Sequence, residues 1–437
     1  MKVAKFGGSS AASAEQIKKI EEIVNASKRR KVIIVSAPGK RFDKDVKVTD
    51  LLYACHNSRE QNFAYEEHFN TLSERFLELE KELNVDVNMK GELATIKDNL
   101  DKGTTADYMA SRGEYLNARL IAAYLGREFV DTQGLVLFNE KGKLMEKETN
   151  KALAEALSKT EGAVVPGFYG SNEKGEIVTF SRGGSDITGA IVARALKASV
   201  YENWTDVSGF LMADPRIVDN PKSIEEISYK ELRELSYMGA SVLHEDAIYP
   251  AKVARIPINI RNTNAPKDPG TMITAETRKE DKEHIITGIA GKKGFIVITL
   301  YKNKLTGEIG FIRRLAGIFE DFDVALEHIP TGIDTMSAVV SKEQIGDHLE
   351  EILEAINTIL KPDSIEIVED MALIATVGYG MHFRKGVSAN LFAGLAEADV
   401  NVRMIDQGSS ELNIIVGVAE EDFNKSIKAI YNSFVGA

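Results

Sequence analysis

The hydrophobic positions at the start of the chain predict a β-α-β unit. Val3 to Phe6 form a short strand pattern, and apolar residues then recur at helical spacing after the capping-box signal of Ser13 and Gln16. Lys31 to Ser36 contain a continuous apolar run of the kind that is buried on both faces in parallel sheets. Strand and helix patterns alternate to about residue 270, which predicts a parallel or mixed sheet covered by helices.

Two segments depart from this alternation. Residues from about 50 to 100 carry apolar positions at helical spacing among many charged residues, which predicts a helical insertion on the α/β core. Pro266 to Gly270 is a cluster of helix and strand breakers, and Thr277 to His284 is dominated by charges of both signs. We therefore expect a domain boundary near residue 280.

Beyond this boundary the chain contains an internal repeat. The two copies match at an offset of 76 residues, as between Gly310 and Gly386. Each copy follows the order strand, helix, strand, strand, helix, strand, which predicts a duplicated β-α-β-β-α-β module. The other matched pairs are Leu315 with Leu391, Asp323 with Asp399, Val324 with Val400, Ile329 with Ile405, Gly332 with Gly408 and Val340 with Val416.

The composition is that of an ordinary globular protein. Of the 437 residues, 43% are hydrophobic and 27% are charged, which argues against a disordered or fibrous chain. The 54 basic and 66 acidic residues give a net charge of −12, so we expect no binding to nucleic acid or to an anionic membrane. A local pocket can still bind an anionic small molecule.

Cysteine, histidine and the N-terminal residues narrow the class of protein further. Cys55 is the only cysteine, which excludes an internal disulfide and a multi-cysteine metal site. The seven histidines lack zinc-site spacing, and no signal-peptide core follows Met1. No run approaches the ~18 apolar residues of a membrane span. We expect a cytoplasmic protein without a structural metal site.

The first candidate for a phosphate site is the loop from Lys5 to Ser10. It leaves a predicted strand and enters a helix, and its glycines let backbone N–H groups approach an anion closely. Lys5 can neutralise the charge of a transferring phosphoryl group. The alternative is a tight strand-to-helix turn with a solvated lysine.

The second candidate is the loop from Phe180 to Gly189. It holds Arg182, Ser185 and Asp186 around two glycines, a set that suits a site handling Mg²⁺, phosphate and a substrate carboxylate. The alternative is that Ser185 or Asp186 caps the following helix.

Two further segments are candidates for ligand contacts. Trp204 to Gly209, followed by Asp214 to Arg216, lies at the carboxyl end of a predicted strand, where open α/β sheets bind ligands. A nucleotide contact is one interpretation of this segment, and an Asp-Pro turn is the other. Ser111 to Glu114 is a weaker signal, because Glu114 is also typical of the first turn of a helix.

These segments occur together and in this order in the aspartokinases, members of the amino-acid kinase family, which the chain resembles from end to end. The C-terminal duplication is similar to the paired ACT modules of that family, and Gly378 to Met381 followed by Gly386 and Val387 is a particularly specific match. The other matching stretches are Lys5 to Ser10, Val35 to Ala37, Ser111 to Glu114, Ser181 to Asp186, Trp204 to Val207, Asp214 to Arg216 and Met238 to His244.

The resemblance implies a fold class and a domain organisation. The fold is an α/β amino-acid-kinase three-layer α/β/α sandwich with a C-terminal pair of ferredoxin-like βαββαβ (ACT) modules. Residues 1–280 would form the catalytic domain, with the helical insertion at about 50–100. The first ACT module would span about residues 293–367, and the second would combine about 281–292 with 368–437.

The resemblance also implies ATP-dependent phosphorylation of the side-chain carboxylate of L-aspartate to 4-phospho-L-aspartate, the first step toward lysine, threonine and methionine. Lys5 would stabilise the transferring phosphoryl group, and Asp186 would organise the reacting groups and Mg²⁺. Arg182 would bind the α-carboxylate of aspartate and Glu114 its α-ammonium group. The other implied contacts are Ser36, Thr49 and Ser185 for the substrate, and Lys5, Gly7, Gly8, Ser9, Thr205, Asp206 and Arg216 for the nucleotide.

Three positions depart from the family pattern. Many relatives have lysine where this chain has Ser241 and proline where it has Glu245, so we assign no nucleotide-binding lysine to this segment. Leu211 stands where some relatives have a tyrosine that stacks on the nucleotide.

For the C-terminal part the resemblance implies an amino-acid effector bound in the first ACT module of a homo-oligomer, either a dimer or a dimer of dimers. Glu327 would pair with the ammonium group of lysine, which makes lysine the expected inhibitor and threonine the next candidate. The alternative for Glu327 is an exposed strand carboxylate. The implied effector contacts are Leu305, Gly307, Glu308, Leu326, Glu327 and Thr331.

Two rival functions remain at this stage. A glutamate or N-acetylglutamate kinase would use similar loops, but those relatives lack the duplicated C-terminus. A catalytically silent amino-acid sensor would keep the ACT pair without any need for Lys5, Arg182 and Asp186.

Overall fold

Alternating strands and helices make up the first part of the chain, as the hydrophobic pattern predicts. The computed structural model describes residues 1–181, 183–240, 245–275 and 285–436. Up to Thr274 the strands are β1 (Lys2–Phe6), β2 (Arg30–Val35), β3 (Glu128–Phe129), β4 (Leu137–Phe138), β5 (Ala163–Pro166), β6 (Tyr169–Asn172), β7 (Ile177–Thr179), β8 (Val200–Thr205), β9 (Phe210–Leu211), β10 (Ser223–Ile224), β11 (Glu226–Ser228), β12 (Ile258–Asn262) and β13 (Thr271–Thr274). The helices are α1 (Ala14–Asn25), α2 (Val48–Glu60), α3 (Glu66–Glu82), α4 (Met89–Lys102), α5 (Ala106–Leu125), α6 (Glu146–Leu157), α7 (Gly184–Ala195), α8 (Tyr229–Tyr237) and α9 (Glu245–Val253).

Eight of these strands form one sheet, in the order β11-β13-β12-β8-β1-β2-β5-β3. All neighbouring strands run parallel except β12 and β13, which are antiparallel. Because β1, β2 and β8 are parallel neighbours, their carboxyl ends meet at one edge of the sheet. That edge is where open α/β sheets bind ligands.

The two faces of this sheet pack against different helices. Side chains alternate between the faces along a strand, and Ala4, Phe6, Ile33 and Val35 lie in one apolar core with α1 to α5. Helix α7 packs against β1, β2 and β8. Lys5 lies between Ala4 and Phe6 in β1, so its side chain points to the other face, toward α7.

Inter-residue contacts divide the chain into two compact units. The first comprises Met1–Phe210, Ser223–Tyr229 and Val242–Thr277. The second comprises Leu211–Lys222, Lys230–Ser241 and Arg278–Ala437. Two short segments from before residue 240 therefore belong to the second unit, and the boundary expected near residue 280 lies outside the described residues.

The second unit contains one six-stranded sheet, in the order β15-β16-β14-β17-β19-β18. Its strands are β14 (Gly288–Tyr301), β15 (Leu326–His328), β16 (Thr335–Ser341), β17 (Ser364–Val377), β18 (Met404–Asp406) and β19 (Asn413–Ala419). Its helices beyond residue 285 are α10 (Phe311–Asp321), α11 (Lys342–Ile345), α12 (Leu349–Ile359), α13 (Val387–Glu397) and α14 (Phe423–Val435).

The internal repeat is visible in this sheet. The two longest strands, β14 and β17, have 14 residues each and begin 76 residues apart, at Gly288 and Ser364. They run antiparallel along their length. The second half of β14 also pairs with β16, and the second half of β17 also pairs with β19. Two β-α-β-β-α-β modules thus share their long strands, which confirms the predicted duplication.

Candidate active site

Lys5 is almost completely buried at the end of β1. Its exposed fraction is 7%, and its Nζ lies 2.6 Å from Oδ1 of Asp186. A buried ammonium group needs a negative partner, because burial removes its hydration. The structure therefore brings together two residues that the sequence places in separate glycine loops.

Asp186 lies in the first turn of α7, and the preceding turn leaves its carboxylate available to Lys5. Gly183 has a φ of +58°, in the left-handed region that favours glycine, and the helix begins at Gly184. The N-cap residue is Gly183, and Ser185 and Asp186 lie inside the helix, so the interpretation of either as its cap is wrong. The predicted substrate residue Arg182 lies outside the described residues.

Asn203 completes this cluster, and the sequence analysis missed it. It pairs in register with Lys5 on the neighbouring strand, so both side chains lie on the same face of the sheet. Its Nδ2 donates to Oδ1 of Asp186 at 2.9 Å, and its Oδ1 accepts from Nζ of Lys5 at 3.4 Å. An amide directly before Trp204, at the end of a predicted strand, was the available signal, because a polar side chain needs partners where a sheet is covered by helices.

Glu114 is a buried carboxyl in α5. A Cβ on Gly113 would lie 2.7 Å from Cβ of Ala37, so this glycine lets α5 approach the loop after β2 closely. Burial raises the pKa of Glu114 to about 8, although the Ala37 N–H and the charge of Arg112 oppose the shift. Within the described residues, Oε2 of Glu114 has no hydrogen-bond partner. This arrangement suits a cationic group of a ligand.

The other predicted substrate residues lie next to these elements. The Ser36 N–H donates to the Phe6 carbonyl at 3.1 Å, and the Ser36 carbonyl accepts from Nδ2 of Asn117 at 2.7 Å. Thr49 is the half-buried second residue of α2, and Ser185 is buried beside Asp186. The candidate substrate residues therefore follow β2, begin α2 and α7, or lie in α5.

Most of the predicted nucleotide residues follow β1 and β8, which are neighbours in the sheet. The Gly7 N–H donates to the Trp204 carbonyl at 3.0 Å, which joins the two loops. Gly8 precedes a short 3-10 helix that begins at Ser9. Thr205 ends β8 and Asp206 follows it, and the Thr205 hydroxyl donates to Oδ1 of Asp206 at 3.0 Å. A glycine loop thus lies beside a polar strand end.

Arg216 differs from the other nucleotide candidates. It belongs to the second compact unit, and its Nη2 lies 2.6 Å from Oδ2 of Asp214. Hydrogen bonding to Arg216 lowers the pKa of the Asp214 carboxyl. Leu211 lies in the same unit, whereas Ser241 lies outside the described residues.

The predicted effector residues lie around β15 and the turn before α10. Glu327, in β15, accepts a hydrogen bond from the hydroxyl of Tyr237, the last residue of α8. Burial and this hydrogen bond raise the pKa of Tyr237 to about 12. Nζ of Lys292 lies 5.2 Å from the centre of the Tyr237 ring. Glu327 is therefore not a solitary strand carboxylate.

Glu308 is a second carboxylate of this region with partners of its own. It pairs with Nζ of Lys302 at 2.7 Å and with the guanidinium of Arg314, and the hydrogen bond from Lys302 is the main cause of its lowered pKa. Leu305 is buried, and Leu326 is half-buried in β15. Gly307 ends the 3-10 turn that begins at Leu305, and Thr331 is exposed.

No group of three or more His, Cys, Asp or Glu side chains in the described ranges could hold a metal ion. None of the described helices is both long and apolar enough to span a membrane.

Comparison with known proteins identifies both parts of the chain. Residues 1–262 match the amino acid kinase family, and residues 374–434 match an ACT domain. Aspartokinase 3 of Bacillus subtilis is 38% identical over 452 residues, with 99% of this chain and 98% of that protein covered.

Solved structures agree with this comparison. The crystal structure of aspartate kinase from Clostridium acetobutylicum is 50% identical, with a TM-score of 0.92 and 99% of each chain covered. Aspartokinase III of E. coli has the same fold, with a TM-score of 0.73 in each of two complexes. The complex with aspartate and ADP is 24% identical over 100% of both chains, and that with lysine and aspartate is 22% identical over 99%.

Proposed function

The chain belongs to the amino acid kinase family and, within it, to the aspartokinases, and from this premise we propose that it transfers the γ-phosphoryl group of ATP to the side-chain carboxylate of L-aspartate. The product is 4-phospho-L-aspartate, the first intermediate toward lysine, threonine and methionine. The observation that carries the proposal is the ion pair of buried Lys5, at the end of β1, with the half-buried Asp186.

The reaction needs positioning and charge neutralisation rather than a general base. The attacking carboxylate of aspartate is already ionised at pH 7. Lys5 lies beside Gly7 and Gly8, so its ammonium group can stabilise charge on the transferring phosphoryl oxygens while backbone N–H groups bind the phosphates. Asn203 holds Asp186 in its orientation toward Lys5.

Substrate recognition rests on Glu114. Its Oε2, which has no partner among the described residues, provides a site for the α-ammonium group of aspartate, and ionisation on binding would form a buried ion pair. We assign the α-carboxylate to Arg182, with Ser36, Thr49 and Ser185 as further polar contacts. This set distinguishes an amino acid from a simple dicarboxylate.

ATP and Mg²⁺ fit the residues at this edge of the sheet. Mg²⁺ keeps several waters and is held by one or two carboxylates together with substrate phosphates, so it does not require a cluster of protein ligands. Asp186 supplies one partly exposed carboxylate beside the glycine loop. Mg²⁺ would neutralise phosphate charge there. Gly7, Gly8, Ser9, Thr205 and Asp206 are the nucleotide contacts we propose.

We propose that an amino acid inhibits the enzyme at the first ACT module, with lysine as the effector and the modules pairing across a homo-oligomer. E. coli aspartokinase III forms a complex with lysine. In this chain Glu327 offers a carboxylate for the side-chain ammonium of lysine, and Tyr237 is the group that lysine would displace.

A hydroxylamine trap of the acyl phosphate tests the function, with aspartate and glutamate assayed in parallel. We expect ATP-dependent hydroxamate formation with aspartate and at least tenfold less with glutamate, since the relatives of this chain are aspartokinases. Higher activity with glutamate would identify a glutamate kinase. No activity with either, in a folded protein that binds lysine, would identify a silent sensor.

A further inference from the structure

A buried arginine of the helical segment contacts the loop between β2 and α2. Arg75, in α3, is 3% exposed. Its Nη1 donates to the Val46 carbonyl at 2.8 Å, and its Nη2 donates to the Gly39 carbonyl and, at 3.5 Å, to that of Ala12. One guanidinium group therefore joins α3 to two other parts of the chain, the loop of residues 39–46 and the segment that contains Ala12.

Two of these contacts lie on opposite arms of the loop. The Val48 N–H donates to the Pro38 carbonyl at 3.2 Å and closes the base of the loop. Gly39 directly follows Pro38, and Val46 lies two residues before Val48, so the two are on opposite arms near this base. Arg75 donates to the carbonyls of both. Residues 40–44, at the tip, are exposed, so the tip has little packing of its own.

The same loop contacts the glycine loop and leads into a substrate residue. The Gly39 N–H donates to the Gly8 carbonyl at 2.8 Å, and a Cβ on Gly39 would lie 2.7 Å from the carbonyl carbon of Gly8. The other arm continues directly into α2, whose second residue is Thr49. A displacement of the loop would therefore move Thr49 and loosen the packing on Gly8.

The surroundings of Arg75 hold one charged partner among apolar neighbours. Oδ2 of Asp45, in the loop between β2 and α2, lies 3.6 Å from Nη2 of Arg75. The neighbours of Arg75 on α3, Leu72, Phe76 and Leu79, belong to the apolar core, and burial lowers the pKa of the Arg75 guanidinium. Asp45 also pairs with Arg41 at 2.9 Å, so it keeps a cationic partner when Arg75 is replaced. The contacts of the Arg75 guanidinium are therefore Asp45 and carbonyl oxygens of the loops.

We propose that Arg75 is a positioning residue for aspartate binding, which it serves by holding residues 39–46 and, through them, Thr49. This inference rests on the proposed function. It gives the helical segment a role in the reaction, because the arginine comes from α3 while the bound loops end at the active-site edge of the sheet.

Steady-state kinetics of Arg75→Met and Arg75→Lys test the proposal, with Arg59→Met as the matched control. Arg59 also binds a backbone carbonyl, that of Asp101 at 3.1 Å, but within the helical segment alone. For Arg75→Met we expect the KM for aspartate to rise about tenfold, the loss of roughly one charge-assisted hydrogen bond, with less than threefold change in kcat and in the KM for ATP. Arg59→Met should keep the wild-type constants.

The outcomes distinguish a role of Arg75 in aspartate binding from a role in the stability of the fold alone. A lower melting temperature of Arg75→Met with a wild-type KM for aspartate would overturn the proposal, as would a fall in kcat alone. If Arg75→Met does not fold, Arg75→Lys decides, since lysine replaces only part of the contacts and should still raise this KM at least threefold. A wild-type enzyme without activity on aspartate would instead refute the proposed function.

Discussion

The carboxylates of the candidate active site and those of the candidate effector region differ in burial and in partners. Glu114 is buried, and one of its oxygens has no hydrogen-bond partner in the described part of the chain. Asp186 pairs with a buried lysine. Glu308 and Glu327 lie nearer to solvent and already have partners, Lys302 and Arg314 for the first and Tyr237 for the second.

The difference reflects what each region has to do. Charges that are buried and held by a sheet interact strongly and need no rearrangement when charge develops during a reaction. Exposed pairs are weak and exchange their partners readily. A catalytic site benefits from the first property, and a reversible regulatory site from the second.

Replacement of Lys5 should have the largest effect of these substitutions, and the effect should be on kcat. We expect Lys5→Met to lower kcat about 10³-fold, because no other described ammonium group lies within an ion-pair distance of Asp186. Lys2→Met is the control, since Lys2 lies on the same strand and pairs with Glu202 instead. Equal rates for the two variants in the hydroxamate assay would contradict the role of Lys5.

Glu114 should control aspartate binding and its pH dependence. With a pKa of about 8 the carboxyl is protonated in the free enzyme at pH 7, so binding an ammonium group must release a proton. The KM for aspartate should therefore fall as the pH rises from about 7 to about 9, and level off above the pKa.

Glu114→Gln should raise the KM for aspartate at pH 9 by about 10- to 100-fold and remove the pH dependence. Calorimetry of aspartate binding in two buffers with different ionisation enthalpies measures proton release. Release of about one proton by the wild-type enzyme would confirm that Glu114 ionises on binding. A pH-independent KM in the wild-type enzyme would refute this role of Glu114.

Replacement of Asn203 should have an intermediate effect, again on kcat. Asn203→Ala removes one hydrogen bond to Asp186 and one to Lys5, so we expect kcat to fall about tenfold while both KM values stay within threefold. Single-turnover rates measure the effect on the chemical step. An unchanged single-turnover rate would mean that the Lys5–Asp186 pair holds its geometry without the amide.

The smallest effect should come from Tyr237 in the candidate effector region, and it should be seen in the sensitivity to lysine. If lysine competes with Tyr237 for Glu327, Tyr237→Phe removes the competitor, and the lysine concentration for half inhibition should fall about threefold. Inhibition curves at fixed aspartate measure this shift. A higher lysine concentration for half inhibition in Tyr237→Phe would show that Tyr237 supports lysine binding. If lysine up to millimolar levels does not inhibit the wild-type enzyme, lysine is not the effector.

Local patterns predicted much of the fold and part of the site. The strand β1, the helix α1 with its Ser13 cap, and the repeat behind β14 and β17 follow from periodicity and identity within short windows. Lys5 and Asp186 lie in glycine loops, which local sequence also reveals. Asn203 escaped notice, because its partners come from another strand and another helix.

The sequence by itself determined the alternation of elements, the duplication and the two glycine loops, because these depend on interactions between residues near in the chain. Only the tertiary structure decided that Asp186 pairs with Lys5 instead of capping a helix, and that Arg75 binds three carbonyls distant from it in sequence. It also decided that Glu114 is buried with one oxygen unpaired as far as the described residues show. The physical reason is that desolvation and hydrogen-bond pairing depend on neighbours in space, which the register of the sheet and the packing of α3, α5 and α7 supply.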